Sequence, residues 1–275
     1  MYNILRLLNP VFFIKQFWIN KSLIKQFTQR EILLRYKGSF LGFFWSFINP
    51  LLMLSVYTFV FSVVFKGRWG LDQPENNFEF AMIMFCGIIA FNIFSETVNR
   101  APTLIVGNVN YVKKVVFPLE ILPITVLLSN LIHAGISVLT LLLAVNIFLH
   151  FTTWTIILIF IVIVPLIFLT LGISWFLSSL GVYIRDIAYT VVVATNILFY
   201  VTPIFYPINA VPDFFKTFMF FNPMTTIVDN FRRVIIWGKL PDWSSYFIIL
   251  LVSYIIMIFG YLWFNRTRKG FADVL

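Results

Sequence analysis

Six long apolar stretches separated by short polar segments form the dominant pattern of this chain. They lie at residues 40–65, 78–98, 116–149, 154–183, 187–206 and 246–264. A helix needs about 20 mainly apolar residues to cross the hydrocarbon core of a bilayer, and these stretches meet or approach that length. The pattern therefore predicts six membrane-spanning α-helices. The third and fourth stretches exceed what a bilayer requires, which predicts tilting, bending or extension beyond it.

A different periodicity precedes the first stretch. Phe17, Ile24, Phe27 and Leu34 recur at helical intervals, while basic and amide side chains occupy the opposite face. This predicts an amphipathic helix, within residues 1–38, lying in the plane of the cytoplasmic leaflet. The helix serves either as a simple anchor or as part of a lateral entrance for a molecule with an anionic lipid head group. Its candidate head-group contacts are Lys21, Lys25, Arg30 and Arg35.

Composition supports the membrane assignment. Hydrophobic residues make up 60% of the 275 residues and charged residues 11%, whereas about a quarter of the residues in a typical soluble domain are charged. We expect an all-α integral membrane protein with one domain over residues 1–275. It consists of the N-terminal helix, a six-span core at 40–264 and a cytoplasmic tail at 265–275.

The distribution of basic residues predicts the orientation. Fourteen of the 20 Lys and Arg residues fall on one side of the predicted spans, and basic residues near span ends favour the cytoplasm. Both termini are therefore expected in the cytoplasm, consistent with an even number of spans. The net charge of +9 is a signal of topology, and we infer no nucleic-acid binding from it. The six on the outer side are Lys66, Arg68, Lys216, Arg232, Arg233 and Lys239.

The cytoplasmic segment between the second and third spans contains turn signals. Pro102 and Gly107 interrupt the helical pattern, and a short helix is expected at 110–116. A solvated basic loop is the simpler interpretation, and a contact with a cytoplasmic partner is the alternative. A second contact point is expected in the tight turn between spans four and five. The candidate contact residues are Asn110, Tyr111, Lys113, Lys114, Arg185 and Asp186.

The outer segment at 209–240 is apolar but too broken to cross the membrane. Pro212 predicts the first position of one short helix, Asn222 with Pro223 predicts the N-cap of the next, and Gly238 its end. Two re-entrant or interfacial helices forming an outer gate are expected. Arg232 and Arg233 either complement the negative end of the helix dipole or contact a phosphate. The remaining gate candidates are Phe214 and Phe218.

Aromatic residues form 19% of the chain, including 34 Phe. Several fall toward the outer halves of spans one and five, where rings can offer stacking surfaces that suit a sliding sugar chain; ordinary packing is the alternative for each. The candidates are Tyr57, Phe61, Tyr200, Phe205 and Tyr206. Glu96 near the cytoplasmic end of span two is expected to have a structural role, with proton relay as the alternative.

Catalytic and metal chemistry is not indicated. His133 and His150 stand apart from each other and from other ligand types, and the single Cys86 lies within a span. The sequence also contains no glycine-rich phosphate-binding loop ending in Lys and Ser or Thr. We therefore expect no catalytic, cofactor or metal site in this chain.

The chain resembles the membrane subunit of type-two ABC exporters, in the branch that exports bacterial surface polysaccharides such as O-antigen, capsule or teichoic acid. The resemblance covers nearly the whole chain and is carried by several blocks together. These are QREILLRYKGSFLGFFWSFINPLL (29–52), NRAPTLIVGNVNYVKKVVFPLEILP (99–123), RDI (185–187), TPIFYP (202–207) and NPMT (222–225).

The resemblance implies a homodimer bound to two copies of a separate ATPase, which would hold ATP and Mg²⁺. It implies that the helix around Asn110–Lys114 couples to that ATPase, and that residues 209–237 form the outer gate. It also implies an inner-membrane location and a lipid-linked polysaccharide substrate moving between protomers along spans one and five. An exporter of a small lipid or drug is the alternative, and an ion-coupled carrier is a further one, although the sequence shows no clear internal repeat.

Overall fold

The computed structural model describes residues 17–64, 77–113, 117–149 and 153–275, and those residues form helices and connecting turns without a β-strand. The chain is therefore all-α in its described part, as predicted. The α-helices are α1 Lys21–Tyr36, α2 Trp45–Tyr57, α3 Asn77–Leu104, α4 Val109–Lys113, α5 Ile121–Leu149, α6 Ile159–Tyr183, α7 Ile187–Val201, α8 Asp213–Phe221, α9 Pro223–Ile235, α10 Trp243–Thr267 and α11 Phe271–Val274.

Five helical segments in the described ranges are long and apolar enough to cross a membrane. They are Gly42–Phe61, Phe78–Leu104, Ile121–Leu149, Trp154–Tyr183 and a segment that begins at Trp243. The first combines a 3-10 turn, α2 and the start of a π-helical stretch at Thr58–Val64. These segments coincide with five of the six predicted spans.

The fifth apolar stretch is shorter as a helix than its sequence predicted. Helix α7 has 15 residues and ends at Val201, whereas the apolar stretch continues to Tyr206. Thr202 adopts an extended conformation with ψ of 133° immediately before Pro203. A residue that precedes proline is disfavoured in the α region because the proline ring crowds its backbone, which explains the break. Residues 202–206 form a series of bends that leads toward α8 and α9, which we call the outer hairpin after their predicted position.

Helix α3 forms the buried centre of the subunit, with α5, α6, α7 and α9 packed around it. Helix α3 continues through Pro102 and ends at Leu104, so the predicted interruption of the helix at Pro102 is wrong. The Cα of Gly181 on α6 lies so close to the backbone of Pro102 that a side chain there would overlap its carbonyl. Close packing of neighbouring helices is what allows a proline inside a membrane helix.

Helices α6 and α10 make the most extensive helix pair of the described residues. Gly172 on α6 faces Gly260 on α10, and a Cβ on Gly260 would overlap the Gly172 carbonyl. Small residues let two helix backbones approach in this way, and van der Waals packing is the main attraction between helices surrounded by lipid.

The outer segment folds as two short helices, α8 and α9, as predicted. Asn222 caps α9 by accepting a hydrogen bond from the backbone N–H of Met224 at 3.0 Å, and Pro223 follows it. Pro212 is the N-cap of α8, so that helix begins one residue later than expected, at Asp213. After α9, Gly238 turns the chain with a φ of 61°.

Candidate transport site

A polar cavity of about 510 Å³ lies among helices α1, α2, α3 and α5. Its polar wall includes Asn49 of α2, Asn92 and Glu96 of α3, and Asn130 and His133 of α5. Such side chains are unfavourable in hydrocarbon unless they meet one another or water. Their convergence from three spans onto one cavity marks it as the candidate site within the described residues.

An ion pair marks one end of the cavity. A guanidinium nitrogen of Arg35 lies 2.6 Å from a carboxylate oxygen of Glu96, and the second donates to the amide oxygen of Asn130 at 3.2 Å. Asn130 in turn donates to the Thr97 hydroxyl at 2.9 Å. This chain of contacts joins α1 to α3 and α5. Glu96 thus has a partner near the span end, in accord with a structural role.

Tyr36 and His133 lie next to this network. The Tyr36 hydroxyl is 3.2 Å from Nδ1 of His133, and the two rings meet edge to face with centroids 5.5 Å apart. The end of α1 is therefore fixed to α5 by an aromatic contact as well as by Arg35. The amphipathic helix does more than lie on lipid, because Ile24 and Phe27 on its apolar face are buried in the protein core.

The five aromatic residues predicted for a sugar path come together. Tyr57 contacts Phe61 with ring centroids 6.4 Å apart, Phe61 contacts Phe205 at 6.0 Å, and Phe205 contacts Tyr200 at 6.2 Å. The Tyr206 hydroxyl donates to the Tyr200 carbonyl at 2.9 Å and so closes the bend after α7. We call these five residues the aromatic row.

The aromatic row is continuous with the cavity. Tyr57 lines the cavity and begins the row, and Phe199 lines the cavity and contacts Phe205 with centroids 5.1 Å apart. Tyr200, at the far end, is 68% exposed. The cavity thus has a polar end at Arg35 on α1, and the aromatic row extends from the cavity to Tyr200 on α7.

Side-chain contacts join α1 to the short helix α4, at the corner predicted to face the cytoplasm. Arg30 donates to the Tyr111 hydroxyl and to the Asn108 side-chain oxygen, each at 3.2 Å. Phe27 packs edge-on against Tyr111 with centroids 5.4 Å apart, and Tyr111 stacks on Phe117 at 4.8 Å. Any displacement of α4 therefore acts directly on α1.

In the segment predicted to contact the ATPase, the described helix is α4, Val109–Lys113, and a 3-10 turn at Val106–Asn108 precedes it. It begins one residue earlier than the predicted 110–116 helix, and Lys114 lies outside the described residues. Asn110 and Lys113 are exposed on it. Arg185 and Asp186 are also exposed, and they form no ion pair with each other in the part of the chain that the structure describes.

The outer hairpin is locked to the core by Arg232, which is 2% exposed. Its guanidinium donates to the carbonyl oxygens of Ile83 at 3.1 Å, Pro203 at 2.8 Å and Ile204 at 2.9 Å. Burial lowers the pKa of Arg232 to about 10, which still leaves the side chain charged at neutral pH. Gly87 leaves the space for this group, since a Cβ there would lie 2.9 Å from a guanidinium nitrogen.

The other gate candidates lie at the surface. Phe214 and Phe218 contact each other on α8 with centroids 5.7 Å apart, and both are more than half exposed. Arg233 donates to the Leu240 carbonyl at 2.9 Å in the turn that follows α9. The two neighbouring arginines of α9 thus have different surroundings: Arg232 is buried in the core, and Arg233 is partly exposed and contacts the following turn.

A contact that the sequence analysis missed joins the C-terminal segment to the start of the third span. Arg268 pairs with the Glu120 carboxylate at 2.7 Å, and the Trp175 indole donates to the Glu120 carbonyl at 2.9 Å. Phe271 of α11 is fully buried against Phe264 and Tyr183. The sequence held one signal of this contact: Glu120 lies inside the third apolar stretch, where a carboxylate is unfavourable without a basic or polar partner.

Apolar helices long enough to span a membrane, packed around a polar cavity, are typical of a membrane transport subunit. The family model for the membrane domain of ABC-2 type transporters matches residues 22–236. The chain belongs to the ABC-2 type transporter family.

Similar proteins include an O-antigen export system permease protein RfbA of Myxococcus xanthus. It is 28% identical over 262 residues, covering 94% of this chain and 98% of the relative. An RfbA of Klebsiella pneumoniae is 27% identical, with 92% and 95% covered. The polysialic acid transport protein KpsM of Escherichia coli is 22% identical, with 92% and 96% covered.

Proposed function

We propose that this chain is the membrane subunit of an ATP-driven exporter that moves lipid-linked polysaccharide, of the O-antigen or capsule type, across a bacterial inner membrane. Family membership and the names of the relatives support this proposal. The structural observation that carries it is the continuous surface from the polar cavity to the aromatic row. Flat aromatic faces combine apolar area with tolerance of many hydrogen-bonding patterns, as a repeating saccharide requires.

The active unit in this proposal is a homodimer. Helix α2 buries only Ser46 and Leu54 within its own subunit, and several side chains of α7, including Tyr189 and Tyr200, are exposed. A second copy packed along α2 and α7 would place two aromatic rows around one route. Both termini are then cytoplasmic, as the basic residues favour.

ATP and Mg²⁺ would bind a separate ATPase, two copies of which dock beneath the dimer. Closure of that motor would push on α4 and on the turn at Arg185 and Asp186. Arg30 would pass the displacement to α1, and Arg35 would pass it to the cavity wall through Glu96 and Asn130. Each link is a direct contact between side chains, which gives the coupling a physical route.

Two measurements test this function. The purified chain should hydrolyse no ATP by itself, and activity should appear when the partner ATPase is added. In cells that lack this permease, polysaccharide should accumulate inside and reach the surface once the chain is restored. Surface polysaccharide is measured with a reagent that cannot enter the cell, against the total after lysis.

Export that stops on collapse of the proton gradient, with ATP held constant, would instead support an ion-coupled carrier.

Aromatic substitutions test the route itself. Tyr200→Leu and Phe205→Leu should lower surface polysaccharide several-fold, whereas Tyr200→Phe should retain most of it because the ring remains. Phe259→Leu is the matched control, since Phe259 on α10 is 68% exposed and lies outside the row. Equal export by the row variants and the control would count against a sugar path. Efflux of a small lipid or drug with no effect on polysaccharide would favour the alternative substrate class.

A further inference from the structure

A second cavity, separate from the transport site, lies between α1 and α5. It is an apolar groove of about 760 Å³, and its floor includes Ile32 of α1 with Leu128, Leu131 and Ile132 of α5. Lys21 and Lys25 stand at its rim. We call this feature the interface groove. None of its lining residues also lines the polar cavity.

The charge of the rim is positive and uncompensated. Lys21 and Lys25 are exposed, and neither forms an ion pair within the described residues. Glu31, the only acidic residue on α1, instead pairs with Arg100 at 2.8 Å. Arg30 and Arg35 on the same helix are engaged by Tyr111 and Glu96. The two lysines are therefore the cations of α1 that remain available to a ligand.

An aromatic side chain completes the site. Trp18 is 70% exposed at the groove, and the Lys21 ammonium lies 4.6 Å from its ring centroid. Tryptophan favours the boundary between head groups and acyl chains, so it places the rim at head-group depth. The floor then lies at the depth of the acyl chains. Lysine can bind phosphate as a compact point charge at such a position.

From this arrangement we propose that the interface groove binds an anionic phospholipid of the surrounding bilayer. An acyl chain lies along Leu128, Leu131 and Ile132, and the head-group phosphate lies between Lys21 and Lys25. The separation of the groove from the polar cavity favours a resident bilayer lipid over the transported molecule. The bound lipid would fill the space between α1 and α5 and hold α1 against the third span.

Fluorescence quenching tests the site, because Trp18 reports on it directly. The full-length chain is placed in nanodiscs containing phosphatidylglycerol or zwitterionic phosphatidylcholine with brominated acyl chains, at varied mole fractions. Subtracting the signal of Trp18→Phe isolates Trp18 from the seven other tryptophans. We expect brominated phosphatidylglycerol to quench Trp18 at roughly 25-fold lower mole fractions than brominated phosphatidylcholine, because each of the two lysines contributes about fivefold. The ratio of the two midpoints measures the preference for the anionic lipid.

Lysine substitutions assign that preference to the rim. Lys21→Gln and Lys25→Gln should each lower the ratio by about fivefold, and the double variant should bring it close to one. Lys269→Gln is the matched control, since Lys269 is exposed and lies outside the groove. Protection of Cys86 from a maleimide checks that each variant is folded, because Cys86 is fully buried.

Three results would overturn the proposal. A wild-type ratio near one would mean that any bilayer lipid contacts the groove equally. An equal loss in the Lys269 variant would indicate general attraction to the surface. Relief of quenching by equimolar lipid-linked saccharide would assign the groove to the transported molecule. The measurement requires no transport, so its outcome is independent of the proposed export function.

Discussion

Replacing Arg232 with methionine should destabilise the subunit more than almost any other single change at its outer side. The substitution keeps much of the side-chain volume but removes the donors to Ile83, Pro203 and Ile204. Three carbonyl groups that now accept from one charged donor would lose it. The bend after α7, the start of α3 and the outer hairpin would then have no common anchor.

The size of the effect follows from the burial and the number of bonds. A hydrogen bond to a charged group contributes about 1.5–3 kcal/mol, but three bonds made by one group do not add fully. Leaving a buried carbonyl without a donor costs about 1–3 kcal/mol, so the loss of all three bonds should cost about 3–5 kcal/mol. For a chain of this length, each kcal/mol lowers the melting temperature by about 2–4 °C, so a decrease of about 6–20 °C is expected.

The native thiol provides the assay. Cys86 is the single cysteine, it is fully buried, and it lies next to Gly87, against which Arg232 packs. A maleimide dye that fluoresces on reaction therefore reports unfolding without any introduced label. Because membrane proteins often unfold irreversibly, variants are compared at one heating rate.

Arg233→Met is the matched control, since the partly exposed Arg233 side chain donates a single hydrogen bond in the described residues, to the Leu240 carbonyl. Loss of that bond should cost about 1.5 kcal/mol, the low end of the range for a hydrogen bond from a charged group, because the side chain is partly exposed to water. Arg232→Lys keeps the charge but cannot supply the same fork of donors, and it should fall between the two. If Cys86 in the Arg232→Met protein reacts with the dye at no lower temperature than in the Arg233→Met protein, this account of the buried guanidinium is wrong.

The same thiol assay tests three further predictions. Gly260→Ala places a Cβ against the Gly172 carbonyl of the facing helix and should lower the free energy of unfolding by about 1–3 kcal/mol. Gly135→Ala meets open space and should leave the free energy of unfolding unchanged or raise it by up to about 1 kcal/mol. Asn222→Ala removes the α9 cap and should cost about 1 kcal/mol, with partial rescue by Asn222→Asp, which keeps an acceptor. A double-mutant cycle with Arg35→Gln and Glu96→Gln should give a coupling energy of about 1 kcal/mol or less, because both side chains are more than one third exposed. A coupling energy several times larger would mean that the ion pair is shielded from water, in contradiction to the structure.

Local signals in the sequence were sufficient where the physical cause is local. The apolar lengths gave five of the spans, and Asn222 followed by Pro223 gave the start of α9, because a cap involves only neighbouring residues. The end of α7 was missed, although Pro203 carried the information. A hydropathy pattern does not register that proline restricts the residue before it.

Long-range contacts were beyond reach of the sequence alone. Arg232 bonds to Ile83, which lies 149 positions away, and Arg268 to Glu120, which lies 148 away. The predicted position of Arg232 on the outer side suggested a helix-dipole or phosphate role, yet the structure directs three of its donors to backbone carbonyls. The aromatic row was proposed from position along the spans, and the structure brings its members into contact, while its role in transport stays a prediction.

The shallow attachment of α2 has a consequence for how such subunits diversify. Its outward side chains contribute little to the core of the subunit, since only two residues of the helix are buried. A substitution on that face consequently carries a small folding penalty, in contrast to one at Gly260 or Arg232. If this face of α2 lines the transport route, as proposed, its side chains can change to suit a new saccharide while the packed core of the subunit is unaffected.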